Sequence, residues 1–274
     1  VIGLADRTKT LLFAYTTVLL ALVYVPIVMV VLLSFNSSQN IGLPITGFST
    51  TWYSGEVAFQ GVSGFFNDQQ AVGALGNSAY IALLTSVVTS LVTITAAMSL
   101  RHRYRSRDLY FYAILSSFFI PGILVGLGSS FLYRVLGSPQ TLLDAVPVQV
   151  VYALPFALIL LLPRFDLEME GYENAARVLG ANGWQVFLRI TFPLIFFQVV
   201  GVALFSFVLS WGELSRTNFV SQGQGTLPVY LFARLQSFAP TPEFYSIGTV
   251  ITGVAAIALV VAGLLLTRGQ RRLI

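Results

Sequence analysis

Six apolar runs divide this 274-residue sequence, near 11–33, 77–100, 109–135, 147–162, 194–211 and 244–267. A helix needs about 20 residues to cross the hydrocarbon of a bilayer, and all but the short fourth run come close to that. Of the whole chain, 56% is hydrophobic and only 9% is charged. A water-soluble fold could not hide that much apolar surface behind so few polar side chains. Lipid removes the difficulty, because the outside of a membrane protein is itself apolar and helices satisfy their own backbone groups there. The expected fold is therefore all-α, with six transmembrane helices forming one membrane domain over 1–274.

Basic residues set the expected orientation. Arg7 and Lys9 precede the first run, and Arg101, Arg103, Arg105 and Arg107 separate the second from the third. Arg164, Arg177 and Arg189 lie between the fourth and fifth, and Arg268, Arg271 and Arg272 follow the sixth. These gaps all fall on one side of a six-span chain, leaving Arg134, Arg216 and Arg234 on the other. The positive-inside rule then makes both termini cytoplasmic, and an even number of spans agrees. The first run is too long for a secretory leader and reads as a retained anchor.

Several function classes drop out early. The net charge of +4 is small and the basic residues cluster in particular loops. Nucleic acid is therefore a poor reading of the partner, since it would want a basic face carrying aromatic or base-reading groups. With no cysteine and one histidine, thiol chemistry, most zinc sites and catalysis by paired histidines are excluded. His102 belongs to the basic 101–107 loop, which faces water and anionic lipid. The opposite loop, 34–76, has no Lys or Arg but carries Trp52, Tyr53, Phe59, Phe65 and Phe66. Such rings rest at the headgroup level or receive a soluble partner. The loop 213–242 mixes Gly, Gln and Pro with Tyr230 and Phe232 in the same manner. Pro26, Pro121 and Pro155 lie within apolar runs, and Gly122 and Gly126 form a small-x-x-x-small pair, which fits kinking and close helix packing or a hinge during gating.

The stretch 164–193 is too long for a simple connector. Glu168, Glu170, Glu173, Ala175, Ala176, Arg177 and Leu179 suit a helix, and Glu173 with Arg177 has the favourable i,i+4 order. Gly180-Ala181-Asn182-Gly183 interrupts it, Trp184–Ile190 resumes helical periodicity, and Pro193 is expected to close the segment before the fifth span. The spacing predicts a cytoplasmic helix–turn–helix with a glycine at its corner.

That stretch also carries a resemblance. Ala175, Ala176, Gly180, Ile190 and Pro193 fall at the spacing of the EAA motif, so the chain resembles the permeases of type I ATP-binding-cassette importers. Asn174 stands where the motif has glutamate, Glu173 lies one residue earlier, and Phe192 replaces a leucine. Shorter matches at 34–38, 47–53 and 227–230 are similar to the spermidine/putrescine-type branch. The resemblance implies that about 172–186 forms a coupling helix contacting an ATPase subunit through Glu173, Asn174, Ala175, Ala176, Gly180 and Ala181, with Ile190 and Pro193 completing the motif. It implies a complex in the bacterial inner membrane of two ATPase subunits, a second permease, by preference a different chain, and a periplasmic or lipid-anchored substrate-binding protein. ATP and Mg would sit on the ATPase subunits and no cofactor on this chain, which has no Gly-x-x-x-x-Gly-Lys-Ser/Thr loop. The branch suggests an amino-bearing cargo such as a polyamine; opines, phosphonates, sugars and iron chelates stay open.

Candidate path residues are sparse. Glu213, just past Trp211, could meet a cation by charge and by cation–π attraction, or it could simply pair with Arg216. Asp144 is a second, weaker acid near the same side. A secondary transporter would call for buried acids or histidines, and a membrane enzyme for a catalytic cluster; the spans offer neither.

Overall fold

The structure, a computed structural model, describes residues 6–55, 63–165, 167–221, 225–237 and 241–271. Phe59 and Arg272 lie outside the described residues. Among those residues the structure is helical, with one isolated β-bridge between Asn36 and Phe48. Five helices are long and apolar enough to cross a membrane: Arg7–Ser34, Gln69–Leu100, Leu142–Arg164, Gly183–Trp211 and Glu243–Leu265. They correspond to the first, second, fourth, fifth and sixth apolar runs. The fourth is longer than its sequence suggested, because the 3₁₀ turns Leu142–Asp144 and Leu162–Arg164 extend it at both ends.

The third run departs from expectation. Instead of one span over 109–135 there are two short helices, Arg107–Ser116 and Gly122–Val135, with Pro121 extended between them (φ −54°, ψ 130°). Proline lacks the N–H that helix continuation needs, and it pushes the residue before it out of the α region. Side chains take up part of the freed hydrogen bonding. Ser117 Oγ donates to the carbonyls of Ile114 (2.8 Å) and of Val151 (3.0 Å), as broken membrane helices require.

The α-helices of the described residues are numbered in chain order: α1 Asp6–Ser34, α2 Thr51–Ser54, α3 Gln69–Leu100, α4 Arg107–Ser116, α5 Gly122–Val135, α6 Ala145–Leu161, α7 Leu167–Val178, α8 Gly183–Val186, α9 Phe192–Trp211, α10 Thr217–Val220, α11 Leu227–Ser237 and α12 Glu243–Arg271. They sort into two packed units, Val1–Val72 with Arg234–Thr252, and Gly73–Ala233 with Gly253–Ile274.

In the first unit, the loop aromatics expected at an interface serve packing. Trp52 and Phe65 are fully buried. The Trp52 indole donates to the Asn36 carbonyl (2.8 Å), and Ser246 Oγ donates to the Trp52 carbonyl (3.0 Å). The Tyr53 hydroxyl pairs with Ser34 Oγ at 2.7 Å, and its ring stacks on Phe35. Phe66 remains exposed.

The second unit holds the main core. Ile94, Ala97 and Leu100 of α3, Ala157, Leu158 and Leu161 of α6, Met169 of α7, and Ile195 and Val202 of α9 form one apolar cluster. Gln149 is buried in the middle of α6. Its Oε1 accepts from Thr85 Oγ1 (3.1 Å) and from Ser210 Oγ, and its Nε2 donates to Thr217 Oγ1 (2.7 Å). One amide thus ties α3, α9 and α10 to α6. Hydrogen bonds between membrane helices contribute about 0.6 kcal/mol each on average, so Gln149→Leu is expected to cost about 1–2 kcal/mol. A lower midpoint of detergent-induced unfolding reads this out; an unmoved midpoint would refute it.

Candidate functional site

The segment between the fourth and fifth spans folds as a helix, a tight corner and a second helix. Helix α7 ends in a glycine-based cap. Gly180 has φ +90°, its N–H donates to the Arg177 carbonyl, and the Ala181 N–H donates to Ala176. This six-to-one and five-to-two pattern needs a left-handed residue, which glycine supplies without strain. Asn182 then caps α8: its side chain accepts from the Gln185 N–H (2.9 Å), and the Gln185 side chain accepts from the Asn182 N–H (3.0 Å).

The second half of the segment differs from expectation. Pro193 does not close it, because the helix runs unbroken from Gly183 to Trp211. A π turn occupies Phe187–Thr191, where the Phe192 N–H donates to the Phe187 carbonyl five residues back. Pro193 follows at once, at the head of α9. A residue without an N–H fits the point where the hydrogen-bond register changes from π back to α, because one carbonyl is left over there in any case.

The phase of α7 separates its residues into two sets. Met169 and Glu173, four apart, face inward and are 2% exposed. Glu173 Oε1 accepts from Arg101 Nη1 (2.9 Å), beyond the end of α3, and from the Thr191 hydroxyl in the π turn. The sequence-predicted partner Arg177 stands farther off, 3.9 Å from Oε2, and donates instead to Asn174 Oδ1 (3.1 Å). Burial by itself would raise the Glu173 carboxyl. Hydrogen bonds from Arg101 and Thr191, with the charges of Arg101 and Arg177, outweigh it and hold the group below the usual glutamate value. A lowered folded-state value means that the stabilisation is complete above the ordinary glutamate range. It is lost only as pH falls through the lowered value, far below neutrality.

Outward lie Tyr172, Asn174, Val178 and Leu179, with Trp184 beyond the corner. Val178 is 87% and Leu179 88% exposed. A cleft of about 550 Å³ runs beside them, lined by Tyr172, Ala175, Ala176, Leu179, Ile190 and Pro193 among others. The two ends of the sequence motif, remote along the chain, therefore meet in one cleft. Glu173 does not line that cleft, and neither does Asn174, which is exposed with its Oδ1 accepting from Arg177.

The three path candidates are not brought into one cluster by any hydrogen bond among the described residues. Trp211 is buried, its ring stacked on Phe207 at 5.8 Å between centroids. Glu213 is buried with Arg216: Oε2 lies 2.8 Å from Arg216 Nη1, and Oε1 accepts from the Arg216 N–H at 2.9 Å. The guanidinium lies 3.8 Å from the centre of the Tyr152 ring, so the cation above an aromatic face is one that the protein itself supplies. Gly122 and Gly126 make room for this arrangement. A Cβ on Gly122 would come within 3.0 Å of the Arg216 guanidinium carbon, and one on Gly126 within 2.9 Å of the Arg216 carbonyl oxygen. Asp144 accepts from the Thr141 N–H (2.6 Å) and from Ser138 Oγ (3.5 Å), closing a capping box ahead of α6. His102 is exposed in the basic loop, as expected.

Two buried polar residues were missed from sequence. Gln149 is an amide amid an otherwise apolar run, and Glu243 heads the last span, fully buried with Arg234 Nη2 3.1 Å from Oε2. A lone amide or acid within or beside a long apolar run was the available signal for both.

Residues 90–273 match the family described as binding-protein-dependent transport system inner membrane component. Among curated relatives, the chain is 28% identical to the putrescine transport system permease protein PotI of Escherichia coli (strain K12), over 91% of this chain and 88% of that one. It is 27% identical to the spermidine/putrescine transport system permease protein PotC of Haemophilus influenzae, over 93% and 95%. A chain from the crystal structure of a bacterial ABC transporter involved in the import of the acidic polysaccharide alginate superposes with a TM-score of 0.65. That match covers 97% of this chain and 99% of that one at 19% identity, a likeness of fold alone. A chain of the MetNI methionine ABC transporter gives 0.57, covering 74% and 99% at 16% identity.

Proposed function

The chain belongs to the family of binding-protein-dependent transport system inner membrane components, and we propose that it forms half of the translocation pathway of an ATP-driven importer for polyamines. It works beside a second, different permease, with two ATPase subunits on the cytoplasmic side and a substrate-binding protein outside. The broken third run, α4 with α5, completes the sixth crossing, and both termini are cytoplasmic. ATP and Mg are handled by the partner subunits, and this chain contributes no catalytic residue.

One observation carries the coupling role. A capped corner held firmly by the bundle leaves Val178, Leu179 and Trp184 exposed next to a cleft. An exposed apolar patch rimmed by polar groups marks an interaction site, and here it coincides with the motif positions Ala175, Ala176, Ile190 and Pro193. Polyamine cargo is supported by the putrescine and spermidine relatives. Radiolabelled putrescine tests it: vesicles holding the full complex should take it up only with ATP and binding protein, and spermidine should compete. Uptake of a sugar, opine or iron chelate in its place would overturn the cargo.

Passage past Glu213 and Trp211 is tested in the same vesicles. Glu213→Gln alone would strand the buried Arg216 charge, so it is combined with Arg216→Met. The double variant is expected to raise the KM for putrescine more than it lowers kcat, since it removes charge encountered during binding. Unchanged uptake would remove Glu213 from the path and leave its pairing with Arg216 as its whole role.

A further inference from the structure

Glu173 is a charged side chain that the docking surface does not use. It is 2% exposed, beneath the face that carries Tyr172 and Leu179. Its Oε1 gathers three elements at one atom: α7 itself, Arg101 past the end of α3, and Thr191 in the π turn that leads into α9. Arg101 is held from other sides as well, since its guanidinium lies 5.4 Å from the centre of the Phe165 ring, while Arg107 Nε caps α3 at the Leu100 carbonyl (2.6 Å). One turn away, Met169 packs in the cluster with Ala97 and Leu100.

Chain connectivity joins α7 to α6 through Phe165 and to α9 through the Gly180 corner. Helix α3 has no such link, because Arg101 and Glu173 are 72 residues apart in sequence. Buried ion pairs add little net stability over apolar residues of the same shape, yet breaking one is costly. Packing alone therefore gives no reason for a carboxylate beneath α7, whereas a directional link to α3 does. We infer that Glu173 is a positioning residue which, through Arg101, ties α7 to α3, so that a displacement imposed on the outer face of α7 is carried into α3 as well as along the chain into α9. This rests on the reading that an ATPase subunit docks on that face.

The sequence contains no cysteine, so nitroxide labels can be placed at Thr95→Cys on α3 and Glu170→Cys on α7 in the full complex. Distances are measured by pulsed electron resonance without nucleotide and after trapping with MgATP and vanadate. With Glu173 intact, the α3–α7 distance is expected to stay constant between the two states. In Glu173→Gln and Arg101→Met it should change between them by about a helical turn, roughly 5 Å, while Glu173→Asp should restore constancy. Retention of the ATPase subunits on purification shows that each variant is folded and docked, so that a changed distance reports the lost link and not a lost fold. A distance that changes with the pair intact, or stays constant in Glu173→Gln, overturns the link. If Leu179→Asp fails to release the ATPase subunits, the docking premise falls, and the link falls with it.

Discussion

Leu179→Asp is expected to release the ATPase subunits from the membrane complex and to abolish ATP-dependent uptake, while membrane insertion stays normal. Leu179 is 88% exposed and follows α7 directly, where the Gly180 cap fixes the backbone. Its side chain touches no core cluster, so the substitution subtracts little from the fold; surface changes of this kind usually stay within about 0.5 kcal/mol. At an interface the effect differs. A central apolar anchor commonly accounts for at least about 2 kcal/mol of binding, and a carboxylate in its place adds a desolvation cost. The expected weakening of docking is therefore about thirtyfold or more. Copurification of the ATPase subunits in mild detergent, followed by putrescine uptake, measures both parts. Retention at the wild-type level would remove the α7 corner from the docking surface.

The second large effect concerns the fold. Arg216→Met should destabilise the membrane domain by about 3–5 kcal/mol, because among the described residues it leaves the buried Glu213 carboxylate with the residue-216 N–H as its donor. Replacing both partners, as Glu213→Gln with Arg216→Met, should recover most of that loss, since an amide is far cheaper to bury than an unpaired charge. Unfolding midpoints of the three proteins decide the matter. A single variant as stable as the parent would show that water reaches Glu213 despite its burial. This comparison also separates the structural part of Glu213 from any part in cargo passage, because the double variant restores stability without restoring the charge.

Much of the architecture is legible in the sequence because hydropathy and basic-residue placement respond to gross solvent preference. Five of the six apolar runs became helices of spanning length for that reason. The break in the third was visible at Pro121, but a proline within an apolar run is also compatible with an unbroken helix, as Pro26 and Pro155 show in α1 and α6. The helix–turn–helix and its glycine corner were readable from local chemistry. The direction of Glu173 was not: i,i+4 spacing points to Arg177, and only the approach of Arg101 from a distant part of the chain turns the carboxylate inward. Gln149 escaped notice because a single amide barely changes the hydropathy of a run, although three hydroxyls converge on it in space.

The π turn at Phe187–Thr191 gives the motif's long spacing a further meaning. A π turn holds one residue more than an α turn, so side chains on its Gly180 side are rotated by about 100° from where uninterrupted α winding out of α9 would set them. The fixed interval from Gly180 to Ile190 therefore encodes an angle as well as a length. Deleting one residue from 187–191 would preserve the apolar pattern and nearly preserve the reach. It would also turn Trp184 and the corner away from the direction in which α7 now presents Leu179.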